Sequence, residues 1–237
     1  MTETLAALLF AHVLADFVLQ TNAMVAGKRR PAMMALHGVV VLVTAAISIG
    51  NLSPWLLLLA AAHLIIDTVK TWSGRTGIWP FLADQTAHGA TLLAFALWQP
   101  GLWSQGLWAA YPLIPGLMVV VAGFIFTTRA GGFAVGLLMA PWIADAPDGL
   151  PGGGRRIGQL ERALIFVLIL TGQAQGIGFL IAAKSVLRFS DTKDDRKISE
   201  YVIIGTLASV TWAIAVTSAV YVMLQHLTPL GIPDLTP

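Results

Sequence analysis

The chain contains no cysteine, so disulfides and thiolate metal sites are excluded, and any bound metal must be held by nitrogen and oxygen. Charge is almost as scarce. Asp, Glu, Lys and Arg make up 11% of the 237 residues, where soluble domains carry about 25%. None of the four occurs in 31–66, 85–128, 163–183 or 201–233, and each gap holds at least one helix of the ~20 apolar residues that cross a bilayer. Lipid leaves helices or closed barrels as the only spanning structures, and barrel strands alternate polar and apolar residues. A chain that is 57% hydrophobic in long runs is therefore expected to be all-α, a polytopic integral membrane protein. The net charge of +2 arises mostly from loop Lys and Arg; it informs orientation and gives no reason to expect a nucleic-acid partner.

Apolar runs separated by turn residues predict helices at 4–26, 33–50, 54–72, 81–98 and 113–128, with a last span at 199–225. The first run lacks a basic leader and carries His12 and Asp16, which predicts a retained span rather than a cleaved signal. Loops after the first, third and fifth helices hold Lys28, Arg29, Arg30, Lys70, Arg75 and Arg129, whereas those after the second and fourth hold no Lys or Arg. The positive-inside rule then places the basic loops in the cytoplasm, with Trp98, Trp103, Trp108 and Tyr111 in an outer aromatic belt. Residues 131–144 read as interfacial or re-entrant. A Pro/Gly-rich linker is expected at 145–158, where Gly152-Gly153-Gly154-Arg155-Arg156 reads as flexible, with phosphate binding the alternative. The segment 163–183 is interrupted by Gly172, Gly176 and Gly178 and followed by Lys184, Arg188, Lys193, Arg196 and Lys197. It reads as a re-entrant hairpin that keeps all cations on one side, a spanning helix being the alternative. Two regions are expected, 1–100 and 101–237.

The most informative pattern has a 51-residue period. Ala11-His12-x-x-x-Asp16 returns as Ala62-His63-x-x-x-Asp67, and His37-Gly38 returns as His88-Gly89. Each unit contains two spans, so the copies share an orientation, and a pseudo-twofold four-helix bundle of two tandem repeats is expected. His and Asp four apart share a helix face, and Asp84 with His88 repeats the pair in reverse order. Counting ~1.5 Å per residue puts these groups about 10 to 18 Å below the basic rim. The donor set His12, Asp16, His37, His63, Asp67 and His88 suits one or two divalent ions such as Zn, Mn or Fe. Asp84 is the expected general base. Gln20, Lys28, Lys70 and Gln85, at the rim of the site by helical spacing, are the expected substrate contacts. Single intramembrane His or Asp residues also act as hydrogen-bonding glue between helices; a doubled constellation argues for function.

Residues 11–38 and 62–89, with Asp84-Gln85-x-x-His88, Gly158-Gln159-Leu160-Glu161-Arg162 and Gly178–Ser185, resemble an uncharacterised family of bacterial inner-membrane proteins known as a domain of unknown function. The resemblance implies a bacterial inner-membrane location and no established activity. A looser similarity, in the arrangement of intramembrane His and Asp, is to predicted membrane-bound metal-dependent hydrolases.

The expected function is an intramembrane metal site open to the cytoplasm, in a metal-dependent hydrolase of a phosphorylated or lipid-linked substrate. The alternative is a metal- or proton-coupled transporter. It is disfavoured because the outer halves of the helices offer only Thr44, Ser48 and Thr91 as polar side chains. Haem ligation ranks below both, since a carboxylate one turn from each first His would face the porphyrin. A scaffold or sensor subunit with a structural metal completes the alternatives, and homo-oligomerisation is compatible with any of them.

Overall fold

The computed structural model describes residues 1–145, 150–189 and 196–233. The protein is an all-α, multi-pass membrane protein. Among the described residues five helices are long and apolar enough to cross a bilayer: Thr2–Leu19, Pro31–Ile49, Trp55–Ser73, Ile114–Ile143 and Arg196–Leu224. The chain divides into two compact units, the first comprising Met1–Ala122 with Val222–Leu230 and the second chiefly Gly123–Tyr221.

In the first unit, α1 (Thr2–Leu14) continues into a π-helical turn at Ala15–Leu19, and the chain then leaves helical geometry at Gln20. The single helix expected to residue 26 therefore ends early. Thr21 caps the short α2 (Asn22–Gly27), its hydroxyl accepting the Met24 N–H at 3.2 Å. Helix α3 (Pro31–Ile49) opens on proline at its first position and stops at Gly50, whose φ of +71° a side chain would strain. Helices α4 (Trp55–Ser73) and α5 (Ile78–Trp98) follow. Asp84, Gln85 and His88 dilute the apolar character of α5, which is not among the five.

Helix α1 packs against α3 and α5, α3 against α4, and α4 against α5, so the four helices close a circuit. Alanines 6, 7, 11 and 15 are buried on α1 and let its neighbours approach closely. Leu8, Ile49, Leu56, Leu59, Leu92 and Phe95 fill the layer beside them. Ile47 and Ile65, each 64% exposed, point outward, as a lipid-facing surface requires. Trp103, expected in an aromatic belt, is instead buried in this core because Thr4 draws its loop inward: the Thr4 hydroxyl donates to the Pro100 carbonyl and accepts the Trp103 N–H.

Helix α6 (Ile114–Ile125) runs through a second π-helical turn, Phe126–Ala130, into α7 (Gly131–Met139). The boundary expected at Arg129 is absent. The widened turn absorbs the residue, and 131–144 extends the same helical run rather than forming a separate interfacial segment. In the second unit, α8 (Gly153–Leu170) and α9 (Gly176–Phe189) fold back on one another, with Gly176 close to Leu168. Thus 163–183 is two helices joined by a turn. The expected linker is partly corrected, since 153–158 is helical while 146–149 lies outside the described residues, as does Lys193. Helix α10 (Arg196–Leu224) contributes Ala213 to a core with Ile165, Ile169 and Ile177.

The loop after α5 is tied to the end of α3: Leu107 N–H donates to the Gly50 carbonyl at 2.9 Å and the Trp108 indole to the Ile47 carbonyl at 2.7 Å. A Cβ at Gly106 would overlap the Ile49 carbonyl oxygen, whereas one at Gly89 would meet nothing within 4 Å. Gly106→Ala is therefore expected to destabilise the protein by about 1–3 kcal/mol. Gly89→Ala should leave the detergent melting temperature unchanged or raise it, and equal melting of both variants would contradict this packing.

Candidate metal centre

Helix α1 with its π-helical turn and helix α4 each present a His and an Asp one turn apart. The π-helical turn sets Asp16 at the end of α1 with its Oδ2 3.9 Å from His12 Nδ1, and the Gln20 N–H closes the wide turn on the Ala15 carbonyl at 3.0 Å. Such turns recur at functional sites because they redirect side chains without ending the helix. Helix α3 supplies His37, α4 supplies His63 and Asp67, and α5 supplies Asp84 and His88. His12, His37, His63, Asp67, Asp84 and His88 are all buried, and Asp16 is nearly so.

The four imidazoles are contiguous. Ring centroids lie 4.2 Å apart for His63 and His88, 4.9 Å for His12 and His88, and 5.1 Å for His37 and His63. His37 Nε2 approaches His63 Nε2 at 3.1 Å, Asp16 Oδ1 at 3.3 Å and Asp67 Oδ2 at 3.2 Å, and His63 Nε2 is 3.4 Å from Asp16 Oδ1. Donor atoms bonded at about 2.0–2.1 Å to one tetrahedral ion are separated by about 3.3 Å. Asp16, His37 and His63 already have that spacing. Three groups bring ligand atoms within 4.8 Å of one another: His12, Asp16 and His88; Asp16, His37 and His63; and His63, Asp67 and His88. All six residues expected as ligands are in them, and Asp84 is in none.

Hydrogen bonding fixes where two lone pairs point. His88 Nδ1 is 2.9 Å from the Asp84 carbonyl, which can only accept, so Nδ1 carries the proton and Nε2 presents a lone pair. That Nε2 is buried without a hydrogen-bond partner. The Gln85 amide nitrogen donates to Asp84 Oδ2 at 3.0 Å, which turns its oxygen to His12 Nε2 at 3.4 Å. His12 Nε2 must then be the donor, and His12 Nδ1, also without a partner, is the acceptor. Two nitrogen lone pairs therefore face a carboxylate, with no donor among them. This arrangement fits a cation and is costly without one.

The charges agree. Lys28 Nζ lies 2.7 Å from Asp67 Oδ2, and Lys70 Nζ 2.6 Å from Asp84 Oδ2. Asp16 has no ammonium among the described residues; within ion-pair distance it has only the imidazoles of His12, His37 and His63. With neutral imidazoles the cluster carries one uncompensated negative charge, and a proton or a metal must balance it.

Of the expected substrate contacts, each touches a site residue. Lys28 and Lys70 hold Asp67 and Asp84, Gln85 bridges Asp84 to His12, and the Gln20 amide nitrogen lies 3.1 Å from His37 Nε2. No residue pattern signals the π-helical turn, since Ala15–Leu19 reads in the sequence as ordinary apolar helix. The Lys28–Asp67 pair is likewise hidden, its members being 39 residues apart. On the side away from the lysines, His12, His63 and His88 meet Leu8, Val41, Ala45, Leu59 and Leu92, with Thr91 the one hydroxyl, around a cavity of about 10 Å³, at the lower limit for one water.

Two substitutions separate these roles. In metal-free protein Asp16→Asn removes the unbalanced charge and should leave stability unchanged or raise it. Asp67→Asn leaves the nearly buried Lys28 unpaired and should cost about 2–4 kcal/mol. Urea or thermal melts of the two variants in detergent provide the comparison, and a larger loss for Asp16→Asn would overturn the charge assignment.

Residues 4–110 match the model of a family described as a protein of unknown function, DUF3307. No curated protein and no solved structure matches the chain. The matched stretch contains every residue of the His/Asp cluster, and this part of the chain is similar to that family of uncharacterised domains.

Proposed function

We propose that the first unit is an intramembrane divalent-metal centre that hydrolyses a phosphorylated or lipid-linked substrate reached from the cytoplasmic side. The observation that carries this reading is the convergence of the unpaired Asp16 carboxylate with the lone pairs of His12 and His88 and the Nε2 atoms of His37 and His63. In this reading the two tandem repeats form a pseudo-twofold bundle. Asp16, His37 and His63 would hold one ion, and His12, Asp16 and His88 offer a second three-residue position. Zn, Mn or Fe suits nitrogen and oxygen donors. When bound, such an ion supplies Lewis acidity toward the scissile group.

The chain's own residues have distinct tasks. Asp84 stands outside the metal groups; Lys70 and Gln85 fix its Oδ2, leaving the unpartnered Oδ1 to take a proton. Lys28 and Lys70 keep ammonium N–H donors beyond their bonds to Asp67 and Asp84 and offer them to an anionic substrate. Gln85 holds the His12 ring, and Gln20 holds His37. The closure beyond His12, His63 and His88, apolar but for Thr91, whose hydroxyl donates to the Ala87 carbonyl, disfavours transport, because a transported ion needs polar groups on both sides of its site.

The test is hydrolysis of phosphomonoesters and phosphate-bearing lipids by detergent-purified protein loaded with Zn, Mn or Fe. Asp84→Asn should lower kcat by about 10²–10⁴-fold while retaining metal, and Asp16→Asn should lose both metal and activity. Metal-loaded protein that hydrolyses none of these substrates, yet passes the ion across liposomes, would replace this reading with transport.

A further inference from the structure

The second unit carries a buried charge of the opposite sign. Arg162, on α8, is 3% exposed, and its guanidinium has no carboxylate within ion-pair distance among the described residues. The neighbouring Glu161 is occupied by Lys184 at 2.7 Å. Of five guanidinium N–H donors, one meets the Ser209 hydroxyl at 2.9 Å and one the Thr128 carbonyl at 3.0 Å. The Nε–H is buried and has no partner. The chain leaves room for this side chain: a Cβ at Gly131, Gly132 or Gly158 would come within 3.0–3.3 Å of an Arg162 atom.

Arg162 forms part of the wall of a cavity of about 540 Å³ within this unit, to which Arg129, Arg155 and Lys184 also contribute, with Glu161 the single acid among the described residues. That volume falls in the range of small-molecule sites, about 300–1,000 Å³. Four cations face one carboxylate. A polyvalent oxyanion is the ligand class that uses several Arg N–H donors at once and compensates a desolvated guanidinium. The start of α8, with Gly154 and Arg155 at the cavity, adds N-terminal N–H groups.

We propose that this cavity is a binding site for a phosphate group, anchored by Arg162 and held at the rim by Arg155 and Lys184. The phosphate belongs either to a free phosphorylated solute or to the headgroup of an anionic lipid, and apolar lining from Leu137, Met139 and Val202 admits both. This site is independent of the metal centre.

The test uses the full chain in detergent and in nanodiscs. Inorganic phosphate is titrated calorimetrically in detergent, and lipid retention is measured by native mass spectrometry after exchange into phosphatidylglycerol or phosphatidylcholine discs. Saturable phosphate binding assigns a free anion; retention of phosphatidylglycerol alone assigns a headgroup. In either case Arg162→Gln should weaken binding by about tenfold or more, the loss expected of a charge-assisted hydrogen bond. Should Arg162→Gln fail to fold, two further variants decide. Arg155→Gln removes a rim charge. Gly136→Leu fills the cavity at a position where a Cβ meets nothing within 4 Å, and it should block binding with all charges intact. Wild-type protein that binds neither probe, or binding that survives Gly136→Leu and Arg155→Gln, would overturn the proposal and leave Arg162 as a tie between helices.

Discussion

Asp16 is buried among imidazoles while the other two carboxylates of the cluster each hold a lysine, and much of the first unit follows from keeping that imbalance in place. In a bilayer an unpaired carboxylate has no water to fall back on, so every group around it must be positioned by protein. The small residues of α1 bring α3 and α5 close, and the π-helical turn aims Asp16 inward. Gln85, itself oriented by Asp84, decides which nitrogen of His12 is protonated. The Asp84 carbonyl does the same for His88. Acceptors are thereby gathered at one place by bonds that each lie outside it, which is how an ion site is prepared without the ion.

The two units share a device. Each buries one charge without an opposite charge beside it, Asp16 in the first and Arg162 in the second, and each does so next to a π-helical turn. In the second unit that turn supplies acceptors: the Thr128 carbonyl takes a guanidinium N–H, and the Phe126 carbonyl takes the Trp212 indole at 3.2 Å. Widening a helix by one residue exposes backbone polarity and redirects side chains where a straight helix would offer neither.

Much of the candidate site was legible in the sequence, because intramembrane His and Asp are costly enough to stand out and a 51-residue spacing relates three pairs of them. That logic singled out the same six residues that the fold brings together as possible ligands. It did not find the pairing of Lys28 with Asp67 or of Lys70 with Asp84, since a rim lysine reads the same whether it faces water or reaches back to a carboxylate. Helix ends at Gly50 and Pro31 were readable from local chemistry. The boundary expected at Arg129 was not real, because a charge in an apolar run marks a loop only when nothing nearby accommodates it. Arg162 was hidden for the converse reason: beside Glu161 it looks like half of a surface pair, and only the fold gives Glu161 to Lys184.

The proposed role of the first unit depends on Asp16 and the imidazoles around it holding a divalent ion. The most direct test is the metal content of the folded, detergent-purified protein after incubation with Zn, Mn or Fe and gel filtration, beside Asp16→Asn and His88→Ala. The wild-type chain should retain at least about one ion, Asp16→Asn none and His88→Ala a reduced amount. Folded wild-type protein that retains no metal, or Asp16→Asn that retains as much as wild type, would contradict that role and leave the cluster as a proton-balanced contact between helices.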